Sequence, residues 1–130
     1  MASILKVDEM QGVTSAGDIT ITSEGGSATM QLQQGVAKAW VHASGGAVQN
    51  DTFNVSGGTD HGTGDYSHTI TNPFSNLNYC QHSTSQGTSA DRNATRNSDR
   101  DATGTLATEC AEAGTKYDTI HMLSAFGDLA

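Results

Sequence analysis

The chain has 130 residues, 14 acidic against 6 basic, for a formal net charge of -8; this length fits one domain with at most a small appendage, and the balance excludes a nucleic-acid surface, which needs clustered Lys and Arg. Leu, Ile, Val and Phe supply only 20 of the 130 residues, a thin core that a chain rich in Ser, Thr, Gly and Asn completes if partner copies add buried area, so an oligomer is expected. No apolar run approaches the roughly 20 residues of a membrane span, and MASILKVDEMQG lacks a basic start followed by an apolar core, so assembly in a cytoplasm without membrane insertion is expected.

In chain order, Ile4, Leu5 and Val7 form a brief alternation within residues 2–11, too short to stand alone, which reads as a docking arm. Ile19 and Ile21 then face one way and Thr20 and Thr22 the other, a β-signal bounded by Gly17 and Gly25-Gly26. Two isoleucines cannot bury themselves within one short strand. Residues 27–34 suit a marginal helix of about two turns, with Ser27 as cap, Met30, Gln33 and Gln34 within it and Gly35 at its end. Residues 36–43, VAKAWVHA, read as a strand with Ala37, Ala39, Val41 and Ala43 inward. Trp40, on its other face, is either a core plug or an interface anchor.

The stretch from Thr52 to Tyr79 organises the rest. Phe53 and Val55 alternate with Asn54 and Ser56, and Tyr66, His68 and Ile70 with Ser67, Thr69 and Thr71. Gly57, Gly58, Gly62 and Gly64 allow a tight connection, and Asp60 and Asp65 can bond nearby amides, so the unit is a β-hairpin with a polar tip. Pro73 closes it, and Leu77, Tyr79 and Gln81 start the next strand. From Ser83 to Gly104 the chain is almost wholly polar. Arg92, Arg96 and Arg100 recur every four residues, as on a helical ridge, but the surrounding Asn, Thr, Ser and Asp favour a long exposed loop or a weakly paired outer hairpin. Leu106 and Thr108 alternate with Ala107 and Glu109, and the last strand carries Ile120, Met122 and Phe126 on one face. About seven short strands separated by turns indicate an all-β, antiparallel sandwich with a jelly-roll-like character.

The sharper catalytic motifs, GxSxG, the Walker loop, HExxH and GxGxxG, do not occur. His42, His61, His68, His82 and His121 are scattered and read as sheet or loop residues, although on a trimer axis one histidine becomes three and makes a ready metal site. Asp60, His61, Asp65 and His68 could form an acid–base pair, or with Asp51 a calcium site, but turn geometry accounts for them. Cys80 and Cys110 have no CxxC spacing and read as reduced thiols in preference to a disulfide. No catalytic residue, cofactor or metal is assigned.

Several segments also resemble a known group. The opening ASILKVDEM, the middle LQQGVAKAW, TFNVSGGTDHGTGDYSHTITN and NLNY, and the closing AFGDLA resemble small fibre-like virion proteins of marine and cyanobacterial tailed bacteriophages. The matches touch both ends and the centre. None is a catalytic signature, and the insert from Gln81 to Gly104 departs from the pattern. The resemblance implies a trimeric virion appendage, assembled in the host cytoplasm, with an attachment and trimerisation segment over residues 1–35 and a β-sandwich head over 36–130. Expected roles are virion attachment through Ile4, Leu5 and Val7, trimer contacts through Ile19, Ile21, Met30, Leu32 and Trp40, and host contact through Asp60, His61, Arg92, Arg96 and Arg100. The partners would be two further copies, another virion protein, and a host-surface glycan or protein. A capsid or tail decoration protein that reinforces the particle is the alternative, and a small virion-associated hydrolase a third.

Overall fold

The computed structural model describes residues 4–13, 19–22, 25–26, 28–87 and 92–130, with the side chains of Arg92 and Ser98 outside that description. The chain divides into two compact units, Met1–Val36 and Ala37–Ala130.

In the first unit, β1 (Thr20–Thr22) pairs antiparallel with β2 (Thr29–Gln31), which sets Ile21 opposite Met30. A single 3-10 turn, Leu32–Gly35, follows, its Leu32 N–H donating to the Ile19 carbonyl at 2.7 Å. The described residues 28–34 therefore do not form the expected helix. Two turns cannot repay helix nucleation, whereas a strand gives Met30 a cross-strand neighbour. Ser27, the expected cap, lies outside the described residues. No described residue of this unit is buried.

The second unit holds nine strands among its described residues: β3 (Ala39–Ala43), β4 (Gln49–Phe53), β5 (Val55–Gly62), β6 (Asp65–Ile70), β7 (Cys80–Gln86), β8 (Arg92–Arg96), β9 (Thr105–Glu112), β10 (Thr115–Lys116) and β11 (Ile120–Phe126). One antiparallel sheet runs β4-β3-β11-β7. In the other, β5 pairs β6 and β6 pairs β9, while β8 takes the opposite edge of β9 and β10 pairs its end. The two sheets face each other as a sandwich.

The expected hairpin is present as β5 and β6, and its turn is made by Gly62 and Gly64, with φ of 127° and 68°. Asp60 accepts the Gly62 N–H at 2.9 Å. Asp65 behaves otherwise: it takes both Arg100 and Asn97. Phe53 and Val55 are also not one strand. Asn54, at φ 58°, turns the chain from one sheet into the other, its amide donating to the Lys38 and Asn72 carbonyls and its Oδ1 accepting the Asn72 N–H. Asparagine suits the corner because its short amide tolerates left-handed backbone and bonds locally.

The core is filled by small and aromatic side chains. Ala39, Val41, Ala43, Leu123 and Ala125 from one sheet meet Val55, Ile70 and Leu106 from the other, with Phe74 and Tyr79 stacked at 4.4 Å closing one end. Ala39, Val41 and Ala43 thus sit inward as the alternation predicts. The last strand keeps Ile120, Met122 and Phe126 on one face, as expected. Its buried face is His121, Leu123 and Ala125, and Ile120, Met122 and Phe126 lie on the outer side. The polar segment 83–104 is neither a long loop nor a hairpin: β7 pairs β11 in one sheet, β8 pairs β9 in the other, and a 3-10 turn, Ser98–Arg100, follows. Both cysteines are free, Cys80 exposed and Cys110 buried, where burial pushes the thiol up to about 11.

Candidate functional site

The sequence-predicted residues fall into separate places. In the amino-terminal unit Ile4 and Leu5 are 80% exposed and Val7 52%. Ile21 and Met30, paired across β1 and β2, are exposed as well, and together with Ala28 and Thr29 they line an open apolar hollow of about 160 Å³. Ile19 and Leu32 are half-buried. Trp40 belongs to the second unit, on the outer side of β3.

The proposed host-contact residues do not gather. Asp60 and His61 are exposed near the β5–β6 turn, where His61 Nε2 bonds the Ser67 hydroxyl at 2.8 Å. Arg96 and Arg100 are held within the head rather than presented as a ridge. Arg96 lies over the Tyr79 ring at 4.3 Å, donates to Asp101 at 3.0 Å and reaches the Tyr79 carbonyl. Arg100 grips Asp65 with two nitrogens, at 3.0 and 2.9 Å, which holds the Asp65 carboxyl below the usual carboxylate range. The side chain of Arg92 lies outside the described residues.

Two further constellations emerge. The first is internal. His68 of β6 and His121 of β11 meet across the sandwich, Nε2 to Nε2 at 2.9 Å, both with no solvent exposure. His121 Nδ1 lies 3.2 Å from the Thr119 carbonyl, which can only accept, so Nδ1 carries the proton and Nε2 is a lone pair. His68 Nε2–H must then donate to it. That leaves His68 Nδ1 as a bare buried lone pair, and it has no partner among the described residues. Tyr66 stacks on His121 at 4.3 Å, and its hydroxyl donates to Asp118, which also accepts the Gly64 N–H. Burial first, and then the neighbouring His121, lowers His68 to about 4. The pair is a neutral strut between sheets.

The second constellation is external, on the outer side of the β4-β3-β11-β7 sheet. Register sets Phe53, Trp40, Ser124 and His82 side by side on four successive strands, and Asp51, His42, Met122 and Thr84 in the next row. An open groove of about 550 Å³ runs over this surface between Trp40 and His42 on one side and His82 and Thr84 on the other, with Met122 and Ser124 beneath. His82 stands edge-on to Phe126, ring centres 6.0 Å apart, with the Cys80 thiol 3.8 Å from its Nε2. The alternation of Trp40 with His42, and of Met122 with Ser124 and Phe126, is visible in the sequence. The inward small-residue face of β3 already puts Trp40 and His42 outside, whereas on β11 nothing marks which face is the outer one.

Comparison with protein-family models, with curated proteins and with solved structures finds no match. The residues must speak for themselves. Among the described residues no three His, Cys, Asp or Glu side chains come together as a metal-holding group, and no helix is long and apolar enough to cross a membrane. Aliphatic exposure is concentrated in the first unit, whereas the second joins a self-filled interior to one ring-rich outer face.

Proposed function

We propose that this chain is a non-enzymatic virion component of a tailed bacteriophage: a trimeric, fibre-like appendage that attaches through its amino-terminal segment and presents a β-sandwich head to the host surface. The observation that carries this reading is the contrast between the two units. The head fills its interior with its own residues, while the first unit buries none of its described residues and exposes Ile4, Leu5, Val7, Met10, Val13, Ile21 and Met30. Exposed apolar side chains gathered in a short segment are most stable against a partner, either their own copies or another particle protein. The resemblance of the opening, central and closing segments to small fibre-like virion proteins supports the same assignment. Ile21 and Met30 supply the contact between copies, and Ile4, Leu5 and Val7 the contact with the particle.

Intact particles test it. Removing residues 1–16 releases the protein from particles and leaves the head folded, and deleting the gene impairs adsorption. If deletion instead leaves adsorption intact and makes the particles fragile, the protein is a decoration protein. A stable folded monomer of the full chain at micromolar concentration, by light scattering, overturns the trimer.

A further inference from the structure

The outer face of the β4-β3-β11-β7 sheet carries more than its share of chemistry. The chain's single tryptophan and two of its three phenylalanines, Phe53 and Phe126, lie on it, together with His42 and His82. Rings of this kind fill cores when they can. Here the inner side of the same strands is occupied by Ala39, Val41, Ala43 and Ala125, and the rings are outside.

Register turns these rings into a slot. Trp40 and His82 both neighbour Ser124, one on each side. Adjacent strands are about 4.8 Å apart, so the walls stand about 10 Å apart over a serine floor, room for one six-membered ring lying between them. His82 is held upright as a wall by its edge-on contact with Phe126. Hydroxyls and imidazoles line the slot: Ser124, Thr84 and His42 make no side-chain hydrogen bond among the described residues, so their donors and acceptors face the space above the sheet. No Lys or Arg lines it, and the chain's net charge is -8, which disfavours an anionic ligand. A protein partner or second copy would be served by a flatter and more continuous apolar face. Instead, the Trp40 and His82 rings flank Ser124, with His42 and Thr84 in the next row, so ring faces and hydroxyl-bonding groups are within one strand spacing of each other, which matches a molecule having apolar C–H faces and a rim of hydroxyls.

We infer that this slot binds a neutral pyranose saccharide, stacked against Trp40 and hydrogen-bonded by Ser124, Thr84, His42 and His82. The inference rests on the proposed host-contact role of the head and gives that contact a site and a ligand class. It also moves recognition away from the β5–β6 turn and the arginines.

Because Trp40 is the sole tryptophan, its fluorescence reports occupancy directly. Full-length protein is titrated with maltotriose, cellotriose, N,N′,N″-triacetylchitotriose, a mannotriose and a galactotriose, with sialyllactose as the anionic comparison. A saturable change in Trp40 emission with at least one neutral sugar, and none with sialyllactose, is expected. Ser124→Gln, which fills the floor from the solvent side, abolishes it with the thermal midpoint unchanged. Since Trp40→Ala removes the reporter, its binding is read by calorimetry, where affinity falls at least about tenfold. A flat response to every neutral sugar overturns the inference, as does binding that Ser124→Gln leaves intact, or emission that changes only with protein concentration, the mark of self-association. The two roles fail separately: a protein absent from particles that still binds sugar refutes the virion role alone, and a particle protein with a flat titration refutes the slot alone.

Discussion

His68 and His121 occupy positions that a sandwich core normally gives to aliphatic residues, and their pairing decides how the head responds to mutation and acid. The two neutral rings share one hydrogen bond, so removing one partner leaves the other's Nε2 buried without it. His121→Leu leaves the His68 Nε2–H without an acceptor and should cost about 2 kcal/mol, whereas His68→Leu with His121→Leu should cost clearly less than the two single changes together, because both polar groups leave at once. Urea unfolding of the four proteins of this cycle measures the coupling. Acid acts through the same pair. His68 titrates at about 4 when folded against 6.5 ordinarily, so between these values the unfolded chain takes up a proton that the folded chain refuses. Stability is therefore full above about pH 6.5, falls as the pH drops and has lost about 3 kcal/mol by pH 4. His121, lowered by burial and by the neighbouring charge of His42 against the pull of the Thr119 carbonyl, acts in the same direction. Unfolding midpoints between pH 4 and 7.5 should slope for the parent and flatten for the double variant. Gly58 belongs beside this strut for a steric reason. A Cβ there would collide with the Ala47 carbonyl oxygen and stand 3.1 Å from His68 Nδ1, so Gly58→Ala should destabilise the head by about 2 kcal/mol, read from the same urea curves.

Turns and straps fix which strand meets which, and their chemistry is only partly spelled by residue type. The β9–β10 hairpin turns through Ala113 and Gly114, both at positive φ, 49° and 82°. Both central residues of a type I′ turn need that backbone; glycine accepts it and alanine does not. Ala113→Asn should raise stability by about 0.5 to 1 kcal/mol with no change in fold, a gain that thermal unfolding would register. The strap after β8 works by charge: Arg100 crosses back to Asp65 and Asn97 joins it. Arg100 is open to water, so Arg100→Ala should leave the global unfolding midpoint nearly unchanged, and its effect should show as faster amide exchange over Arg92–Arg96. Elements with an apolar rhythm were legible in the sequence. The inward sets Ala39, Val41, Ala43 and Tyr66, His68, Ile70 are read directly from period two, and so is the β5–β6 turn from its glycines. Three features were not. The strand expected to start with Leu77, Tyr79 and Gln81 begins only at Cys80, and Cys80–Gln86 reads CQHSTSQ, with no apolar beat to fix its bounds. The corner at Asn54 breaks an alternation that looks continuous. On β11 period two groups Ile120, Met122 and Phe126 on one face, as found, but nothing in the strand marks that face as the outer one, with His121, Leu123 and Ala125 inside.

At the scale of the whole molecule, the aliphatic shortage divides unevenly between the two units. A head short of Leu and Ile fills its sandwich with alanines, a histidine pair and stacked Phe74 and Tyr79, so its folding needs no second copy to cover those residues. Among its described residues the first unit has no such interior. Its two short strands pair Ile21 with Met30 and leave both in solvent, and a two-stranded ribbon with an uncovered face is marginal in water. Association, if it supplies the missing burial, must therefore act on residues before Ala37 and leave the head's own stability nearly untouched. This predicts a dissociable arrangement. Residues 37–130 alone should be a folded monomer with a thermal midpoint within a few degrees of the full chain's head transition, while the full chain sediments at three times its monomer mass. Ile21→Ser with Met30→Ser should collapse that mass to the monomer without shifting the head transition. Sedimentation combined with calorimetry separates the two effects. A head fragment that aggregates or fails to fold would locate the missing burial on the sandwich itself, and a double variant that remains trimeric would remove Ile21 and Met30 from the contact.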